Sequence, residues 1–65
     1  MHHLIQLRSA KPLATLPNQN GFRFWGVRPD GTHACCYVNQ CKHTGTHFID
    51  GEAGYDELIG WLPRK

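Results

Sequence analysis

Between Val27 and His33 the chain reads Arg28-Pro29-Asp30-Gly31-Thr32, and no other run limits the fold as tightly. Pro29 presets φ for the first corner of a turn, and Asp30-Gly31 supplies the positive φ that closes a hairpin. Both flanks have the pattern of strands. Residues 22 to 28 alternate, with Phe22 and Phe24 on one face and Arg23, Trp25 and Val27 on the other. Residues 32 to 38, Thr-His-Ala-Cys-Cys-Tyr-Val, form the return strand. A hairpin marked this clearly makes the chain β-rich, and the other elements must be arranged around it.

The punctuation on either side supplies those elements. Pro12, Pro17 and Gly21, with Asn18 and Asn20 between them, make residues 1 to 20 an irregular arm, with a short edge strand over residues 4 to 8. After the hairpin, Asn39-Gln40 reads as a second turn. Residues 41 to 49 then read as a third strand, interrupted at Gly45 by a bulge. The tail is open between two forms. Leu58, Ile59, Trp61 and Leu62 have helical spacing, but Gly60 weakens a helix and Pro63 ends it after barely two turns. A short helix and a last strand would both bury Trp61. The expected architecture is one small domain over residues 1–65, with the arm at 1–20 and a β core at 21–62. That core is a three- to four-stranded antiparallel meander, all-β or, with one short C-terminal helix, α+β.

A chain of 65 residues buries only about 60% of the surface its unfolded form exposes, so a staple such as a disulfide set, a metal or a partner is a natural addition. Residues 33 to 47 invite that reading, because three cysteines and three histidines fall within fifteen positions. A disulfide framework does not fit. Three is odd, and the adjacent Cys35 and Cys36 point to opposite faces of a strand. Free thiols suggest a reducing compartment. The N-terminus lacks the apolar run of a signal peptide, and no stretch approaches the roughly 20 apolar residues of a membrane span. The location expected is cytoplasmic.

If the second hairpin turns at Asn39-Gln40, Cys36 faces His43 and Val38 faces Cys41, and Cys36, Cys41, His43 and His47 share one face. That is a Cys2His2 set in kind. Opposed positions lie about 5 Å apart, within reach of one tetrahedral zinc. His47 lies four residues beyond His43, about 13 Å along a regular strand, and the tight Cys-x-x-Cys hooks of familiar zinc sites are missing. The favoured reading has no cofactor, with Cys36 and Cys41 as small buried hydrophobes and the histidines half-exposed. One structural zinc is the alternative. A catalytic pair such as Cys36 with His43 is disfavoured, because so short a chain offers few walls for a substrate pocket. No catalytic residue is assigned, and the chain reads as a non-enzyme.

Seven aromatics are more than one small core face can easily hide. Arg23 and Trp25 combine two residue types enriched at binding hot spots, and Arg23, Trp25, Tyr37 and Trp61 are the candidate binding residues. The competing account packs Trp25 and Trp61 together at the centre of the core. Stacking of single-stranded bases is a further option. Seven Lys and Arg against five Asp and Glu give a net charge of only +2, with no basic cluster and a pI near 8.6, so nucleic acid is not favoured.

The order Leu16-Pro17, aromatic strand, Asp30-Gly31, Phe48 and Trp61-Leu62-Pro63 resembles the short phage- and prophage-encoded family called domain of unknown function 551 over roughly residues 12 to 63. Two departures are Gly60, where the family usually has His before the Trp, and Arg64-Lys65, where it continues with Leu-Pro. The resemblance implies a small antiparallel β domain from a phage or mobile element, with no assigned chemistry. The function expected is protein–protein binding, for example inhibition of a host or antiviral-defence factor such as a CRISPR-type complex, in the host cytoplasm. The alternative is a zinc-stapled module for single-stranded nucleic acid. A homo-oligomer is compatible with either.

Overall fold

The computed structural model describes residues 7–64. Four antiparallel strands form one sheet: β1 (Arg23–Val27), β2 (His33–Gln40), β3 (His47–Gly51) and β4 (Gly60–Pro63). Their order across the sheet is β3-β2-β1-β4. Three strands run as the expected meander, and the fourth returns beside the first, the spatial order of a Greek key. Among the described residues the remaining regular structure is limited to single 3-10 turns at Leu7–Ser9, Leu13–Thr15 and Tyr55–Glu57. No helix among the described residues is long and apolar enough to cross a membrane.

The first hairpin forms as the sequence directs. Arg28 N–H donates to the Thr32 carbonyl at 2.8 Å and Gly31 N–H to the Arg28 carbonyl at 3.0 Å, while Asp30 Oδ1 accepts from the Thr32 backbone and hydroxyl. Gly31 alone takes the positive φ, 87°.

The second hairpin differs from the expectation at Asn39-Gln40. β2 runs on through Gln40, and the chain turns over Cys41–Thr46, closed by Cys41 N–H to the Thr46 carbonyl at 2.8 Å. The reason is Gly45, which takes φ 76°. An L side chain at that φ pays a steric penalty, so the reversal sits where the glycine is, and Asn39 stays in the strand. Gly45 is therefore a turn residue, and the third strand begins at His47, not at Cys41.

The tail resolves as a strand, preceded by one 3-10 turn. The expected edge strand over residues 4 to 8 lies partly outside the described residues, and Leu7–Ser9 form a 3-10 turn. The arm instead meets the sheet at Lys11, which exchanges two backbone hydrogen bonds with Trp61, at 2.8 and 3.0 Å.

One face of the sheet holds the core. Phe24, Ala34, Cys36, Val38 and Trp61 point to it, and Ala53 and Leu58 from the β3–β4 connection close over them. Leu13, Leu16 and Phe22 pack against the margin. Trp61 is the hub: its ring stands edge-on to Phe22 and Phe24, at centroid distances of 5.7 and 6.3 Å. Its indole N–H is shared between the Pro12 carbonyl and Thr15 Oγ1, both at 3.1 Å. A polar tip on an apolar ring is thereby satisfied, and the arm is tied to the core.

Candidate functional site

Alternation along the strands puts a second set of side chains on the opposite face. Arg23 pairs across from Tyr37, Trp25 lies between Cys35 and Leu62, and Asn39 lies across from Phe48. Of the β3–β4 connection, Ala53 and Leu58 seat on the other face, and Glu52 lies at the margin of this one, against Cys35. Arg23 and His33 are exposed, Trp25 and Cys35 half-buried, and Tyr37 and Phe48 keep 39% and 46% of their surface in water.

Three of the four candidate binding residues, Arg23, Trp25 and Tyr37, thus share one open face. Trp61 does not join them. It is 6% exposed on the core side, so its assignment to a binding set is corrected: pairing with Gly26 on β1 turns its side chain inward. The two tryptophans stand on opposite sides of the sheet, and the account that packs them together is also set aside.

The open face is organised around Trp25. The His33 ring meets it edge-to-face at 4.9 Å, and the Arg64 guanidinium carbon lies 5.0 Å from its centroid. Both contacts exploit the charge distribution of the ring and fix the neighbours' positions. Arg64 escaped the sequence reading, since only the return of β4 beside β1 brings the tail to this face.

Towards β3 the face turns acidic, and here the carboxylates are occupied. Asp50 Oδ1 accepts the Gly51 N–H at 2.9 Å, while its Oδ2 accepts the Tyr37 hydroxyl at 3.2 Å and Asn39 Nδ2 at 3.5 Å. These donors hold the Asp50 carboxyl below the usual range, the Gly51 N–H foremost, and the same carboxylate pushes the Tyr37 phenol up. Glu52 Oε1 accepts the Cys35 N–H at 2.7 Å, which lowers its pKa in the same way. Gly51 is fixed by this junction. At φ 113° its missing Cβ would fall 2.5 Å from the Cys35 carbonyl oxygen, so no other residue fits without a backbone shift.

The four residues of the zinc alternative are dispersed. Cys36 lies opposite Gly51 and not His43, and its buried thiol donates to the Ala53 carbonyl at 3.5 Å. Cys41 and His43 lie in the turn, and His47 pairs with Gln40, four positions from Cys36 along β2, or about 13 Å. Among the described residues no group of three or more His, Cys, Asp or Glu is placed to hold a metal ion. The shared face required the turn at Asn39-Gln40, and with that turn gone the set does not fit one zinc. The same register separates Cys36 from His43 as a nucleophile–base pair.

Of the cysteines only Cys36 is a core residue. Cys41 is half-exposed in the turn, where the Thr44 hydroxyl and then the backbone N–H groups of Thr44 and His43 lower its thiol pKa. An apolar groove of about 410 Å³ opens on the core side, between Leu13, Leu16 and Pro17 of the arm and Val38, Ile49 and Tyr55. Asn18 and His47 stand among its apolar walls.

No protein-family model, curated protein or solved structure matches this chain.

Proposed function

We propose that this chain is a non-enzymatic binding protein that takes a protein partner on the open face of its sheet. The observation that carries the reading is the gathering of Arg23, Trp25 and Tyr37 on the face opposite the core, with Tyr37 exposed and Arg64 stacked on Trp25. Aromatic and arginine side chains held by neighbours lose little freedom when a partner arrives, which is why they dominate interface energetics. The core on the other side supports the face without using it.

The resemblance to the phage-encoded family extends the proposal to a mobile-element protein in the host cytoplasm. There, binding blocks a host or antiviral-defence factor. The test uses tagged full-length chain as bait in lysate of the cells that carry it. Wild type and a Tyr55→Ala control, whose ring is exposed away from the face, retain a protein partner. A Trp25→Ala/Tyr37→Ala variant with an unchanged circular dichroism spectrum loses it. Retention that is indifferent to the face substitutions, or turnover of a substrate by the purified chain, overturns the reading. Light scattering on the same samples reports whether the partner is a second copy.

A further inference from the structure

The outer edge of β3 is complementary to itself. Val38 N–H donates to the Phe22 carbonyl and the Val38 carbonyl accepts the Gly21 N–H, so the backbone of Val38 faces β1 and its pair with Ile49 is a non-hydrogen-bonded one. Two positions on, Gln40 and His47 pair in the same way. Ile49 and His47 therefore turn their N–H and C=O groups away from β2, and among the described residues no hydrogen bond answers them. Between them, Phe48 keeps 46% of its surface in water on the open face. A row of unpaired backbone groups beside an exposed aromatic ring is a template for another strand.

We infer that a second copy of the chain adds its own β3 to this edge, antiparallel and in the register that sets Phe48 opposite Phe48. In that register the His47 of each copy lies opposite the Ile49 of the other. Both present outward groups, so each such pair exchanges two N–H···O bonds, and the Phe48 rings meet at the closer, non-hydrogen-bonded position between them. The neighbouring registers fail. Centring on Ile49 sets His47 against Gly51, whose N–H already goes to Asp50 Oδ1 and whose φ of 113° leaves the strand conformation. Centring on Asp50 sets two carboxylates face to face, and centring on His47 sets Ile49 against Gly45 in the turn.

Charge agrees with the antiparallel direction. The turn before β3 carries the exposed Lys42 and His43, while Asp50 and Glu52 stand at the strand's other end. Each copy thus lays its basic turn beside the acidic end of the other, whereas parallel pairing in register would bring Asp50 to Asp50. On the core side, His47 and Ile49 line the apolar groove, and the incoming strand extends that wall. Arg23 and Trp25 lie two strands away on β1, so this contact is separate from the open-face reading and does not depend on it.

The contact is small, and a dissociation constant on the order of 10–100 μM is expected. Sedimentation equilibrium of full-length chain across that range tests it, in reducing buffer so that cysteines do not link the copies. Expected is a reversible monomer–dimer equilibrium. Phe48→Lys sets like charges opposite each other at the centre, and His47→Pro removes one outward N–H from each copy; each should weaken the dimer at least about tenfold. Both should keep the circular dichroism spectrum of wild type, since neither removes a bond to β2, and Arg23→Gln should leave the equilibrium unchanged. Hydrogen exchange followed by NMR locates the contact without any substitution: the His47 and Ile49 amides gain protection as the chain is concentrated. A monomer at every concentration, a dimer indifferent to both β3 substitutions, or one lost with Arg23→Gln overturns the inference. So does exchange at His47 and Ile49 that is independent of concentration.

Discussion

At the scale of single residues, the three cysteines show how environment separates identical side chains. Burial pushes the Cys36 thiol up, whereas the Thr44 hydroxyl and neighbouring N–H groups pull Cys41 down. Thiolate character and access act together. Iodoacetamide near pH 8 is therefore expected to alkylate Cys41 at least about tenfold faster than Cys36, read by peptide mass spectrometry. Comparable rates would mean that Ala53 and Leu58 do not cover Cys36. Trp61 gives a second test. Trp61→Phe keeps a ring in the core but deletes the N–H shared by Pro12 and Thr15, at an expected cost of about 1–2 kcal/mol in denaturant melts. An unchanged midpoint would show that the arm is not anchored there. The sequence alone placed Trp61 both in the core and in a binding set, because an isolated strand pattern gives alternation but not which side is covered.

At the scale of elements, the strand pairing disperses the four residues of the zinc alternative. Cys36 opposite Gly51 and His47 opposite Gln40 cannot share an ion with Cys41 and His43. Native mass spectrometry of chain purified without added metal should give the metal-free mass, and EDTA should leave the thermal midpoint unchanged. A zinc lost only on denaturation would restore the stapled module. The first hairpin was legible because its turn chemistry is local: Pro29, Asp30 and Gly31 stand together between two alternating runs. The second turn lies beyond Asn39-Gln40, over Cys41–Thr46, and even a one-position slip in a turn moves every partner on the strand that follows. In the sequence Gly45 reads as an interruption of a strand, and in the fold its positive φ makes it the point of reversal. Residues 58 to 62 carried helical spacing yet became β4. Tertiary pairing with β1 overrode a pattern too short to propagate a helix.

For the molecule as a whole, three surface carboxylates tie the connections together. Asp30 braces the first turn through Thr32, Asp50 accepts from Gly51, Asn39 and Tyr37, and Glu52 caps the Cys35 N–H. All three are lowered from the ordinary carboxylate range, so the folded state favours the ionised form. The stability they add is complete above the unfolded-state pKa, near 4, and is lost as pH falls through their lower folded values. Thermal melts should therefore hold their midpoint at pH 6 and drop between about pH 4 and pH 2. A midpoint at pH 2 equal to that at pH 6 would remove these contacts from the account. The open face and its Arg23–Trp25 pairing were readable from alternation. The part played by Arg64 was not, because it depends on a crossover that no local signal announces.

The two sheet margins differ in a way that governs how copies of the chain can meet. On β4, the outward N–H and C=O of Trp61 are taken by Lys11, and Pro63 has no N–H to offer. That margin cannot accept another strand. On β3, the ladder to β2 leaves the backbone groups of His47 and Ile49 facing outward. Among the described residues, strand addition is thus available on one side alone. Two copies that meet there must do so margin to like margin about a twofold axis, and the product has no second docking strand. A single backbone bridge at Lys11 in this way limits assembly by edge pairing to a closed pair and denies it the head-to-tail repetition that builds a fibre.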